Sequence, residues 1–198
     1  IWLNLPAVDK MVEPHFTMLW ADAIPVRRSA DDAGRSTTVT VIAGRLGELV
    51  PPSPPPSSWA SRPEADLAIW HAVMEPGAVT ALPAARGADT VRVLYVFGGS
   101  IVDEGAEIAA PTGAVAADAE ALSLTAGAQG AEVLVLQGRP IGEPVAQYGP
   151  FVMNTRAEIE QAFADYRATG FGGWPWDRPD PVHGEALDAG GRGVRFAR

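Results

Sequence analysis

Three histidines, His15, His71 and His183, are the only imidazoles available for metal binding or general base work in this chain. They lie so far apart that a three-histidine centre forms only if the fold gathers all of them. His71 sits mid-strand on the side shared by Leu67, Ile69 and Val73, with Ala68, Trp70, Ala72 and Met74 on the other. A lone histidine in that setting reads as a packed or outward-facing polar residue. His183 stands in WDRPDPVHGE beside Asp177, Asp180 and Glu185, an oxygen-rich set, but Pro179 and Pro181 stiffen it and no glycine-spaced calcium loop appears. It reads as a surface tail. Asp103 and Glu104 follow a strand and precede Gly105, the pattern of a turn rather than of an acid and base in a cleft. Trp174 and Trp176 could form a binding surface, although large aromatics more often serve as packing mass. There is no cysteine nucleophile, no G-x-S-x-G elbow and no phosphate-cradling glycine loop. No catalytic residue, cofactor-binding residue or metal ligand is therefore assigned in this chain.

Composition narrows the function classes further. With 15 basic against 24 acidic residues the net charge is −9, and no Lys/Arg cluster is denser than Arg27-Arg28, which argues against direct nucleic-acid binding. The absence of cysteine fits a reducing compartment, so a cytoplasmic location is expected. No window approaches the ~18 uninterrupted apolar residues of a membrane-spanning helix, and a membrane partner is not expected. A chain of 198 residues is long enough for a sizeable core without disulfides. It begins with Ile rather than Met, and IWLNL (1–5) reads as a buried strand, so the start of the natural protein is expected to be missing.

The elements that must position any site are mostly strands. IWLNLP reads as one strand without a nearby partner, and the polar RRSADDAGRS closes a stretch that reads as linker. TTVTVIAG (37–44) is β-branched and ends on glycine. Five prolines in LVPPSPPPSSW (49–59) remove backbone donors and predict an extended, polyproline-like loop. DLAIWHAVMEPGA (66–78) is a strand ending in a Pro-Gly turn, TVRVLYVFGGSIVD (90–103) a pair hinged at Gly98-Gly99, and EALSLTAG (120–127) and AEVLVLQG (131–138) two more. Many short strands without crossover helices predict a mainly β, antiparallel sandwich or barrel. One helix is predicted: Thr155 and Glu158 form a capping-box pattern, Ile159, Ala162, Phe163 and Tyr166 share one apolar face that should pack on the fold, and Gly170 stops it.

IWLNLPAVDKMVEP, the block AEVLVLQGRPIGEPVAQYGPFVMNTRAEIEQAFADY and the tail FGGWPWDRPDPVHG together resemble the pirin family of double-barrel cupin proteins. GRPIGEPV followed by GPFVMNT is the most specific part. The resemblance extends over essentially the whole chain and corresponds to the C-terminal portion of the family. It implies a cupin-type antiparallel barrel, or jelly roll, with one C-terminal helix. The division it implies is the last strand of a missing N-terminal barrel at 1–10, a linker at 11–35, the C-terminal barrel at 36–153, the helix at 154–170 and a Pro/Gly/Trp tail at 171–198.

For chemistry the resemblance implies iron (Fe2+) held by histidines and a glutamate of the N-terminal barrel, none of which is in this sequence. The cupin motif can also be laid over the second barrel. Counted forward from Gly77, its two histidines fall on Pro83 and Ala85, and counted back from Gly99, its glutamate falls on Arg92. Proline, alanine and a cation predict no metal there. The full-length protein then resembles an iron-dependent quercetin 2,3-dioxygenase acting on a flavonol, with this portion a structural barrel inactive by itself. The alternative is an iron-dependent co-regulator in which the acidic second barrel meets a protein partner.

Overall fold

The computed structural model describes residues 1–173 apart from 16, 18, 104 and 117–119. It divides into two units, Ile1–Gly142 and Glu143–Arg198.

In the first unit the β-branched run STTVTVIA forms β2 (Ser36–Ala43), where Thr37, Val39 and Val41 turn inward in strict alternation. Its partner β1 (Val26–Ala30) lies inside the stretch expected to be linker, a correction to that reading. VRRSA is an edge strand with two arginines, a composition that marks solvent exposure without forbidding a ladder. Asp31 makes the turn: its carboxylate accepts from the backbone N–H of Ala33 and Arg35 at 2.9 Å each and from Arg35 Nε at 2.8 Å. On the other side of β2, β3 (Ala68–Met74) buries Ala68, Trp70, Ala72 and Met74, as the alternation predicts.

Two long strands carry the rest. β5 (Val91–Asp103) and β8 (Leu122–Gly138) are each continuous where the sequence suggested a pair of short strands. Glycines that read as turns are instead bends. The β5–β8 register shifts on either side of Gly98-Gly99, and Gly99 has φ +62°. A Cβ at Gly99 would stand 2.1 Å from the Gly130 carbonyl oxygen, and one at Gly130 (φ +81°) would stand 2.6 Å from the Met74 carbonyl oxygen. Three strands thus approach backbone to backbone, which only glycine permits.

Around this axis, β4 (Val79–Leu82) pairs with the first part of β8, while β6 (Ala106–Ala109) and β7 (Thr112–Val115) pair with successive halves of β5. β6 runs beside the second half of β5 and β7 beside the first, and neither carries a hydrophobic pattern that the sequence reading picks out. The ladder order is β1-β2-β3-β8-β5-β6, all antiparallel, wrapping a core of Val39, Val41, Trp70, Leu94, Val96 and Val133 among others. The expected mainly β, cupin-type architecture is present, but the ladder does not close into a complete barrel. Side chains bridge part of the gap. Arg27 Nη2 of β1 reaches Thr80 Oγ1 (3.3 Å) and the Ala81 carbonyl (3.4 Å) of β4, and Val79 N–H donates to Asp31 Oδ2 at 3.1 Å.

Residues 1–6 make no ladder among the described residues, and Ile1 and Trp2 are largely exposed, contrary to the buried strand expected of IWLNL. The proline-rich loop contains no strand and ends in single turns at Trp59–Ser61 and Pro63–Ala65.

In the second unit β9 (Ala146–Tyr148) and β10 (Phe151–Met153) form a hairpin, so YGPFVM is a turn and strand rather than a plain connector. This hairpin groups with α1 (Arg156–Thr169), not with the large sheet. The helix begins with the predicted reciprocal cap, Glu158 N–H to Thr155 Oγ1 (3.3 Å) and Thr155 N–H to Glu158 Oε2 (2.7 Å). It ends at Gly170, φ +55°. Ile159 and Ala162 are buried, and Phe163 meets Tyr148 and Phe151 edge-on at centroid distances of 5.7 and 4.8 Å. Among the described residues no helix is long and apolar enough to cross a membrane.

Candidate functional site

The polar interior of the large sheet is the place where chemistry would be sought. Along β5 the inward positions are Arg92, Leu94 and Val96, and Arg92 is 1 % exposed. Its cross-strand neighbour Gln137, on β8, is also buried. Gln137 Oε1 accepts from Arg92 Nε (3.0 Å) and Nη2 (2.5 Å). The guanidinium also donates through Nη1 to the Glu120 carbonyl (2.9 Å) and through Nη2 to the Pro83 carbonyl (2.7 Å). Gln137 Nε2 in turn donates to the Asp66 carbonyl at 3.0 Å, which fixes the amide with its oxygen toward the arginine.

Asp66 sits at a left-handed residue, φ +45°, just before β3. Its carboxylate accepts from Arg86 N–H (2.7 Å), Arg86 Nε (3.0 Å), Gly87 N–H (3.1 Å) and the Thr90 hydroxyl (2.9 Å). Burial by itself pushes this carboxyl up, and the Arg86 guanidinium with the donated hydrogen bonds outweighs that, holding Asp66 below the usual carboxylate range. For Arg92 the balance is opposite: burial lowers its pKa, and the charge of Asp66 opposes the shift only in part.

The cupin count thus brings two of its three positions together, the Pro83 carbonyl and Arg92, while Ala85 lies in the same loop as Pro83. The oxygens there are neutral, already occupied, and arranged around a cation. That set does not fit a divalent metal, which needs anionic or imidazole donors. Asp66, Thr90 and Gln137 were missed from the sequence. Their signal was phase: Arg92 alternates with Leu94 and Val96, and Gln137 with Val133 and Val135, so both polar residues fall on the core face.

The other candidates do not converge. His71 lies on the outer face as expected, its Nε2 2.9 Å from Glu132 Oε1 and its ring stacked 5.5 Å from Phe97, which stacks on Tyr95. This is a half-exposed pair on an open face, not a cleft. His15 is exposed beside a groove shared with Leu3, Leu5 and Pro55. Asp103 ends β5 and is exposed. Glu104, and Trp174, Trp176, Asp177, Asp180, His183 and Glu185, lie outside the described residues. Among the described residues, no three of His, Asp and Glu come together as a metal site would require. A cavity of about 290 Å³ between β5, β6, β7 and β8 is lined by Leu94, Ile101, Ile108, Leu122 and Leu124, with Asp103, Glu120 and Ser123 also on its wall but no histidine to activate the serine hydroxyl. In the second unit a groove of about 590 Å³ runs along α1 past Tyr148, Ile159 and Phe163, with Arg156 and Arg167 on its rim.

Comparison with known proteins gives one family and a consistent length relation. The family model of the pirin C-terminal cupin domain matches residues 69–172. A Pseudomonas aeruginosa protein provisionally named as a quercetin 2,3-dioxygenase is 38 % identical over 171 residues, covering 84 % of this chain and 56 % of that protein. A pirin-like protein of Caulobacter vibrioides is 34 % identical over 169 residues, covering 84 % of this chain and 56 % of its own length. Among solved structures, a quercetin 2,3-dioxygenase from Acinetobacter baumannii superposes with a TM-score of 0.72 at 28 % identity, over 86 % of this chain and 55 % of that one. The chain spans about half the length of the curated relatives it matches.

Proposed function

This chain belongs to the pirin family, and from that premise we propose that it is the structural, non-catalytic C-terminal part of an iron-dependent quercetin 2,3-dioxygenase. In this reading an N-terminal cupin barrel holds the iron and the flavonol. The segment at 1–10 contributes that barrel's last strand, and the sheet described above closes and stabilises it. The observation that carries the reading is Arg92: where the cupin pattern calls for a glutamate ligand, a buried guanidinium donates four hydrogen bonds to neutral oxygens. The relatives supply the reaction class through their names and the second barrel through their length.

Flavonol cleavage and bound iron, measured on the 198-residue chain and on its full-length parent, test this directly. The expected result is turnover and stoichiometric iron in the parent and neither in the chain alone. Turnover by the chain, or tight iron in it, would overturn the assignment.

The second reading is an iron-dependent co-regulator, favoured by the net charge of −9, which suits a basic protein partner. Iron-dependent capture of a defined basic partner by the full-length protein, without flavonol turnover, would select it.

A further inference from the structure

We propose that the Arg92 guanidinium is a built-in internal cation, and that the oxygens around it form a guanidinium-binding site which the protein fills with its own side chain. The group gathers acceptors from separate parts of the fold: the Pro83 carbonyl after β4, the Glu120 carbonyl before β8 and the Gln137 amide on β8. Through Gln137 it also ties in the Asp66 carbonyl before β3. This is the cross-linking that a bound metal performs in a metal-holding barrel, carried out by a covalently attached cation. No carboxylate touches the guanidinium among the described residues, and Asp66, engaged with Arg86, Gly87 and Thr90, acts on it only through space. Among the described residues the positive charge is thus met by peptide and amide dipoles.

Geometry makes the site specific for a planar fork. Nε and Nη2 converge on one oxygen while Nη1 and Nη2 reach two carbonyls on separate loops. An ammonium offers three donors from a single point and cannot span that arrangement, so lysine is not a conservative replacement here. An apolar replacement strands the buried Gln137 amide oxygen and takes a donor from the more exposed Pro83 and Glu120 carbonyls. The proposal concerns this interior alone and holds whichever reaction the full-length protein performs.

The test is chemical rescue. Arg92→Ala, Arg92→Lys and Arg92→Met are made in the 198-residue chain and their thermal midpoints compared with wild type. Each is expected to fall by roughly 10 °C. Low-millimolar guanidinium chloride, far below denaturing concentrations, should raise the midpoint of Arg92→Ala saturably and leave wild type unchanged. Equal sodium chloride or zinc chloride should not. Variants within about 2 °C of wild type, or an equal guanidinium response in wild type, would overturn the proposal. A second measurement needs no variant to fold. In the wild-type nitrogen-15 spectrum, Arg92 should give a guanidinium Nε–H that exchanges slowly with solvent, and rapid exchange of every arginine Nε–H would overturn it as well.

Discussion

At the scale of single residues, the interior of this chain is organised by two charges with opposite accounts of their stability. Asp66 is ionised below its ordinary value of 3.8, so its folded-state pKa lies under its unfolded one. Its contribution is then complete above pH 3.8 and is lost as the pH falls through the folded value. Asp66→Asn should lower the unfolding free energy by about 3 kcal/mol at neutral pH, since Arg86, Gly87 and Thr90 lose an anionic acceptor in a buried setting. Urea titrations across the acid range check the sign: the gap between wild type and variant should be flat near neutrality and narrow under acid. A gap that widens as pH falls would contradict the geometry. None of this was legible from residue types, because Asp66 reads only as the first residue of the strand at 66–78 and its partners, two backbone N–H groups, Arg86 Nε and the Thr90 hydroxyl, come from a loop about twenty residues on. Arg92 was legible only as a failed metal ligand. Its phase with Leu94 and Val96 said where it points, and the carbonyls that receive it come from loops whose positions no local pattern encodes.

At the scale of elements, what the sequence disclosed depended on whether a glycine ends a strand or bends one. Gly98-Gly99 and the glycines of Gly127–Gly130 read as hairpin turns, and the chain instead runs through them in two long strands. The two uses share φ > 0 and differ only in which neighbour comes close, which is tertiary information. Gly99→Ala should therefore cost more than about 3 kcal/mol, well beyond the strain of a left-handed alanine, because its Cβ would meet a carbonyl of β8 rather than open space. Gly34→Ala, also at positive φ but with nothing near its Cβ, isolates the purely conformational part in the same denaturation assay. β2, β3 and α1 were readable because alternation and capping are local. Thr155→Ala should destabilise the helix start by about 1 kcal/mol, seen as faster amide exchange over residues 156–160 with the large sheet unaffected. β1, β6 and β7 were not readable, since VRRSA, AEIA and TGAV hold too little apolar alternation to stand out.

At the scale of the whole molecule, the family assignment rests on a match over residues 69–172, which the structure divides between two units rather than treating as one motif. Composition had already set the charge of −9 and the size of the core, and periodicity had set a mainly β fold. A consequence for handling follows from the Arg92 site: a chelator should leave the thermal midpoint of the 198-residue chain within about 1 °C of its value in buffer, because its interior cation cannot be extracted. A marked chelator-dependent fall would reveal a metal-dependent structure. The bridge between β1 and β4 has a different consequence, one of solution behaviour. A ladder is made by main-chain hydrogen bonds, whereas this stretch of the rim is held by the side chains of Arg27 and Asp31, and changing either one removes part of the fastening. Arg27→Ala together with Asp31→Ala would leave the hydrophobic core residues in place and free the facing edges of β1 and β4, so the molecule would sooner recruit other copies of itself through those edges than unfold.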